Sequence, residues 1–153
     1  MTDEPMTATR AWAASQIRQA KAAQGFTWND LADAIGRSVI WTTSALLGQQ
    51  SLQSEQAAKI IELLGLGEDV KVALLLPAIR GAQAVDRTEP LVYRLDEIVQ
   101  VYGPTISELV AENFGDGIMS AIDFELDFAR VPDPKGDRVV LTLNGKFLPY
   151  RVW

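Results

Sequence analysis

The first half of the chain places apolar residues at intervals of three and four, which is the period of an amphipathic helix. Thr27 and Ser38 are residue types that begin helices, and Asp30 completes a capping box with Thr27. Gly25 and Gly36 are typical of helix ends. The pattern predicts five helices, at about residues 8–24, 27–34, 38–47, 54–64 and 69–76.

A polar segment, GAQAVDRTEP at residues 81–90, separates this helical half from a second half with a different pattern. After it, the apolar spacing predicts a helix over about residues 92–101. Gly103-Pro104 predicts a turn, and a further helix follows to about Asn113. The helix-breaking GDG at residues 115–117 then ends the helical pattern.

The remainder of the chain has the composition of strands. FELDFARV and RVVLTLNGKFLPY are rich in branched and aromatic residues, and PDPKGD between them predicts a turn. Within the second run, Asn144-Gly145 is typical of a two-residue hairpin turn. Together the patterns predict an α+β protein that is mainly α, with a helical N-terminal domain at residues 1–85 and a small α+β C-terminal domain at residues 86–153.

The stretch FTWNDLADAIGRSVIWTTSALLGQ, at residues 26–49, has the spacing of a helix-turn-helix. In DNA-binding members of that class, the second helix presents Arg, Lys, Gln or Asn to base edges. Here it presents Ile40 and Trp41, and Arg37 is the nearby basic residue. Burying two such side chains against protein is worth several kcal/mol, at about 25 cal/mol per Å². The segment therefore favours helix packing or oligomerisation over DNA binding.

The amino-acid composition excludes several kinds of catalytic and metal-binding site. The 153 residues include no cysteine and no histidine, which excludes thiolate nucleophiles, zinc–sulfur sites, and histidine as base or ligand. The net charge is −6, and residues 86–153 hold seven basic and twelve acidic side chains, so no basic patch favours nucleic acid. No apolar run suits a membrane span, and the first thirty residues lack a signal-peptide pattern. We expect a cytoplasmic protein.

One basic side chain, Arg94, stands among nine acidic ones between Arg87 and Arg130. Glu97 follows it at the i+3 position of the predicted helix. Such a pair is usually a surface ion pair of under about 1 kcal/mol. Its apolar neighbours Leu95, Ile98 and Val101, with Tyr93 and Tyr102, indicate instead a helix that is largely covered.

Two further clusters have alternative interpretations. GDGIMSAIDF, at residues 115–124, offers glycines whose backbone N–H groups can bind an anion, with Ser120 as a hydroxyl donor, or it is a plain loop with a small core serine. Asp123, Glu125 and Asp127 fall on one face of an extended strand. They could hold Mg²⁺ or Ca²⁺, but a solvated strand face is favoured.

The strings YRLDEIVQVYG (93–103), FGDGIMSAIDFELD (114–127) and GKFLP (145–149) closely resemble the cyanase family, also called cyanate hydratase or cyanate lyase. The resemblance extends through ALLGQQ (45–50) and the helix-turn-helix-like segment, so it spans nearly the whole chain. It implies that the N-terminal domain serves assembly. It also assigns the family's catalytic arginine, glutamate and serine to Arg94, Glu97 and Ser120. Asp96 and Glu89-Pro90 depart from the usual family residues.

The implied reaction converts cyanate and bicarbonate into carbamate and CO₂, and carbamate then gives ammonia and a second CO₂. Bicarbonate is a co-substrate, and no metal or other cofactor is implied. The resemblance further implies a homodecamer, a pentamer of dimers with active sites shared between subunits, and neither nucleic-acid nor membrane partners. The alternative from the residues alone is a helix-turn-helix transcription regulator with an oligomerising C-terminal domain.

Overall fold

The computed structural model describes residues 9–81 and 84–153, which divide into two compact units on either side of residues 82–83. The predicted helix start at residue 8 and part of the predicted polar link lie outside the described residues. Within the described ranges, the chain forms six helices and one two-stranded antiparallel sheet. The predicted α+β class with a majority of helix is confirmed.

The N-terminal unit is a bundle of five helices around a shared apolar core. The helices are α1 (Arg10–Gln24), α2 (Trp28–Ile35), α3 (Val39–Leu46), α4 (Ser54–Leu64) and α5 (Glu68–Leu75). Ile17, Leu31, Leu46, Ile60 and Leu74 are fully buried and come from all five helices. The predicted helices therefore exist within one or two residues of their predicted ends.

Local capping explains why these ends were predictable. The Thr27 hydroxyl accepts from Asp30 N at 3.1 Å, and the Asp30 carboxylate accepts from Thr27 N at 2.7 Å, so the predicted capping box is present. These bonds hold the pKa of the Asp30 carboxyl below its ordinary value. Gly36 ends α2 with a φ of 64°, in the left-handed region that favours glycine.

The helix-turn-helix segment corresponds to α2 and α3. Trp41, on α3, packs against the core of its own unit, and Ile40 is partly buried. The apolar character of α3 thus serves, at least at Trp41, the unit's own packing. Of the two uses expected for this apolar helix, packing within the unit is therefore the one observed at Trp41, and a role in oligomerisation stays a prediction.

The C-terminal unit begins with one long helix, α6 (Pro90–Phe114). The predicted turn at Gly103-Pro104 is wrong, since the helix continues through Pro104. Proline removes one helical N–H and disfavours helical geometry in the residue before it, partly through that residue's Cβ. Gly103 has no Cβ, which relieves part of this conflict and allows the helix to continue.

The helix is followed by a long hairpin of β1 (Gly117–Val131) and β2 (Arg138–Pro149). Its turn lies in the predicted PDPKGD segment, where Gly136 has a φ of 122°. The predicted hairpin turn at Asn144-Gly145 is wrong. Both residues lie inside β2 and pair with Glu125 and Phe124. The dipeptide forms no turn here because both of its residues pair with the facing strand.

The C-terminal unit leaves most of its apolar side chains exposed. Among its described residues Ser120 alone is buried, and α6 contains no buried residue. Leu95, Ile98 and Val101 are all exposed, so the expectation of a largely covered helix is not met within one chain. A helix and a two-stranded sheet have too few layers to cover their own apolar faces.

Candidate active site

Arg94 and Glu97 lie together near the N-terminal end of α6. The Arg94 Nε atom is 3.3 Å from Glu97 Oε2, and the guanidinium carbon is 4.8 Å from the centroid of the Tyr93 ring. The side chains of Arg94 and Glu97 are 60% and 52% exposed. In the described ranges, no hydrogen bond engages the terminal nitrogens of Arg94, and the contact with Glu97 is made at Nε. The guanidinium therefore presents two donors that can bind a pair of anionic oxygens.

The residues that depart from the family pattern have definite partners. Asp96 Oδ2 accepts from Arg87 Nη1 at 3.0 Å, so the carboxylate two residues after Arg94 is paired with a different cation. Residues two apart on a helix lie on different faces, which also separates Asp96 from Arg94. Glu89 caps α6 by accepting from Val92 N at 2.9 Å, with proline at the first helical position.

Ser120 lies in a four-residue bulge of β1. Regular pairing runs to Met119, which faces Phe147, and resumes at Phe124, which faces Gly145. Four residues, 120–123, therefore stand opposite Lys146 alone. The bulge turns the Ser120 side chain inward, so that the residue is only 5% exposed.

The Ser120 hydroxyl oxygen accepts two backbone hydrogen bonds inside the bulge. Its donors are Ile122 N at 3.0 Å and Asp123 N at 2.9 Å. A serine hydroxyl has two acceptor lone pairs and one proton to donate. With both lone pairs occupied, the remaining function of the group is donation. Ser120 is thus arranged as a hydrogen-bond donor to an external oxygen, and poorly arranged as a nucleophile.

No residue pattern indicates the groups that orient Ser120. Ile122 N and Asp123 N are backbone groups, so no residue type marks them, and Ile122 itself is 97% exposed. The GDGIMSAIDF pattern predicts either a donor site or a plain loop with a small core serine, and neither prediction includes the bulge, which depends on the register of β2. A strand pattern read along β1 alone cannot show that register.

Arg94 and Ser120 lie near opposite ends of the C-terminal unit's helix. Arg94 precedes the end of α6 at Phe114 by about five and a half turns, or roughly 30 Å at 1.5 Å per residue. At that end, the Phe114 ring packs on Phe147, with centroids 5.3 Å apart, and Phe147 pairs with Met119 beside Ser120. No described contact joins Ser120 to Arg94 or Glu97. The structure brings together the arginine and glutamate and leaves the serine apart.

The acidic face of β1 does not form a metal cluster. Glu125 and Asp127 lie in the regular ladder, whereas Asp123 belongs to the bulge. The described part of the chain contains no group of three or more acidic side chains arranged to hold a metal ion. Nor does any helix within it have the length and apolarity needed to cross a membrane.

Comparison with known proteins covers both units. The family described as "Cyanate hydratase, N-terminal" matches residues 10–79, and the "Cyanate lyase C-terminal domain" matches residues 84–152. The chain is 49% identical to a cyanate hydratase of Mycobacterium avium (strain 104), over 94% of this chain and 93% of that protein. It is 46% identical to one from Synechocystis, over 91% and 93% of the two chains.

A solved structure gives the same result. The crystal structure of cyanase from T. urticae matches with a TM-score of 0.81 and 36% identity, covering 90% of this chain and 97% of that one. Both family domains, in order and nearly complete, are therefore present on a chain whose fold is also that of a cyanase. The chain belongs to the cyanate hydratase, or cyanase, family.

Proposed function

We propose that the protein is a cyanate hydratase that decomposes cyanate in a bicarbonate-dependent reaction. Family membership over both domains supports the activity. The observation that carries the mechanism is the Ser120 hydroxyl, whose oxygen is saturated by two backbone donors and whose proton is free for a substrate oxygen. In the reaction, a bicarbonate oxygen adds to the cyanate carbon and gives a dianionic adduct.

The adduct then breaks down with a balanced transfer of protons. The bicarbonate proton moves to the nitrogen, one further proton is taken up, and the adduct releases CO₂ and carbamate. Carbamate takes up another proton and gives ammonia and a second CO₂. No step changes an oxidation state, and bicarbonate supplies both the nucleophile and the first proton. The proposal therefore includes no metal and no other cofactor, and the protein's task is to bind and stabilise charge.

Arg94 is the proposed anion-binding residue. Its planar guanidinium can donate two parallel hydrogen bonds to a carboxylate-like group, and Glu97 lies 3.3 Å from Nε, where it can orient the guanidinium once other subunits cover the pair. Glu97 is a carboxylate and would repel the substrates directly. We therefore assign it the role of orienting Arg94.

Ser120 is the proposed donor to the oxygen at which charge develops. Two N–H groups aimed at its oxygen polarise the hydroxyl and strengthen its donation. A fixed donor of this kind is worth about 10²–10³ in rate when it meets the transition state. The donor is already oriented by the bulge of its own chain, so no reorganisation is needed when substrate binds.

A homo-oligomer is proposed because no described contact within one chain joins Ser120 to Arg94, and because one chain leaves much apolar surface uncovered. Arg94 lies near the start of α6, Ser120 follows its other end, and most apolar residues of the C-terminal unit are exposed. Apolar surface exposed to this extent is typical of a subunit interface. We propose a decamer built from dimers, in which residues 1–85 serve assembly and residues 86–153 supply the catalytic groups. We place it in the cytoplasm, without nucleic-acid or membrane partners.

The test is ammonia release from cyanate by the purified protein, with and without bicarbonate and with and without EDTA. We expect release only with bicarbonate and no effect of EDTA. Release that persists without bicarbonate, or stops with EDTA, would contradict the mechanism. A parallel gel shift with genomic DNA fragments examines the regulator alternative, for which sequence-specific binding at nanomolar protein would be required.

A further inference from the structure

Gly145 occupies the crowded position opposite the end of the Ser120 bulge. It pairs with Phe124, the first residue of β1 to rejoin the ladder. A Cβ atom built on Gly145 would lie 2.5 Å from the carbonyl oxygen of Ser120 and closer still to Met119 Cγ. Gly145 is not among the glycines with positive φ. Its lack of a side chain is therefore required by space and not by backbone conformation.

The Ser120 carbonyl and hydroxyl belong to the same bulge, so a displacement of the carbonyl disturbs the segment that holds the hydroxyl. Ordinary van der Waals contact with a Cβ begins at about 3.4 Å, so a side chain at position 145 would displace this carbonyl by roughly 1 Å. The hydroxyl is held by Ile122 N and Asp123 N, which belong to the same bulge. Any shift of the bulge therefore changes the direction in which the Ser120 proton points.

We infer that Gly145 is a positioning residue for catalysis: its missing side chain lets β2 approach the Ser120 carbonyl, and that approach sets the bulge that aims the Ser120 hydroxyl at substrate. The inference rests on the proposed function and deepens it. It explains a turn-type dipeptide inside a regular strand, because the position needs glycine's small volume. Gly145 touches no substrate, so it acts only through Ser120.

The first experiment compares Gly145→Ala with Gly136→Ala, a second glycine of the same hairpin. A 1 Å misplacement of a catalytic group costs about 10² in rate. We expect Gly145→Ala to lower kcat by about that factor, with little change in KM for cyanate, because the donor acts on the transition state. Gly136 lies in the turn with no atom within 4 Å of an added Cβ. Its strained φ should reduce thermal stability while leaving kcat within about twofold.

The second experiment tests whether the effect passes through Ser120. In a Ser120→Ala background, which retains a small measurable rate, Gly145→Ala should lower kcat by less than about threefold. A full hundredfold loss in that background would show that Gly145 affects something other than the serine and would overturn the inference. So would wild-type kcat in the single variant Gly145→Ala.

A separate pair of variants covers the case in which Gly145→Ala fails to assemble. Ile122→Pro removes one N–H donor to the Ser120 oxygen, and Ile122→Ala removes the same exposed side chain but keeps that donor. We expect kcat for assembled Ile122→Pro to fall at least about tenfold below that of Ile122→Ala. Equal values would overturn the inference. In every case wild-type protein that releases no ammonia from cyanate would refute the proposed function itself, which distinguishes the two failures.

Discussion

Mixing two impaired variants tests whether an active site takes its residues from more than one chain. Arg94→Ala and Ser120→Ala would each be unfolded, combined in equal amounts and refolded together. Arg94 lies roughly 30 Å along α6 from the end at which Ser120 is placed, so a site that uses both can be completed by another subunit. Each variant alone should retain less than about 1% of wild-type kcat, because each lacks one charge-stabilising donor.

The expected recovery follows from random assembly. If each site takes one Arg94 and one Ser120 from different chains, about one quarter of sites in the mixture receive both intact residues. If each site instead takes Arg94 from one pair of subunits and Ser120 from another pair, which is the arrangement we expect in the decamer, the fraction falls to about one sixteenth. The ammonia assay distinguishes both values from the starting 1%.

A matched mixture removes the ambiguity of poor refolding. Wild type is mixed in equal amounts with the double variant Arg94→Ala/Ser120→Ala, so that both substitutions lie in the same chain. If each site lies within one chain, this matched mixture should give about half of wild-type activity, and the mixture of the two single variants should give none above background. If the first mixture stays inactive while native mass spectrometry shows mixed oligomers, shared sites are refuted.

Two other outcomes follow from single contacts. Arg94→Lys keeps the charge but loses the two-point fork, so kcat/KM should fall by about 10² or more while oligomer size by light scattering is unchanged; near wild-type kcat/KM would show that Arg94 only forms an ion pair. Asp30→Ala should lower the melting temperature at pH 7, because the folded-state pKa of Asp30 is depressed by Thr27. The stability that the ionised Asp30 carboxylate adds is present above its unfolded-state pKa of about 3.9 and is lost as pH falls through its folded-state pKa. The difference in melting temperature between wild type and variant should therefore shrink in acid. A difference that does not change with pH would contradict this cause.

Sequence reasoning succeeded where the determinants are local. Thr27, Asp30 and Gly36 act through bonds within a few residues, and the ends of α2 lie where those residues predict. It failed at Gly103-Pro104, where each residue taken alone favours a turn but the glycine relieves part of the strain that its proline neighbour causes. Propensities scored residue by residue miss such compensation.

In the candidate site too, local relations could be predicted from the sequence and non-local ones could not. Arg94 and Glu97 could be paired from their i+3 spacing, and the structure places them in contact. The donor role of Ser120 depends on backbone groups and on the register of the facing strand, neither of which a residue pattern shows. Asn144-Gly145 was interpreted as a turn because its local preference is strong. Its actual surroundings are set by Ser120, far away in sequence.

The exposure of the Arg94–Glu97 pair connects assembly to catalysis. In one chain both side chains are more than half exposed, and an ion pair in that environment is worth under about 1 kcal/mol and holds neither group firmly. The chain's charge of −6 adds a general repulsion of anions, which a loosely held arginine cannot overcome. Covering α6 with other subunits excludes water, and the same guanidinium then interacts with an anion several times more strongly at the lower effective dielectric. In the proposed oligomer, an acidic chain could therefore bind cyanate and bicarbonate, because the contacts that bury its apolar surfaces would also enclose the proposed site.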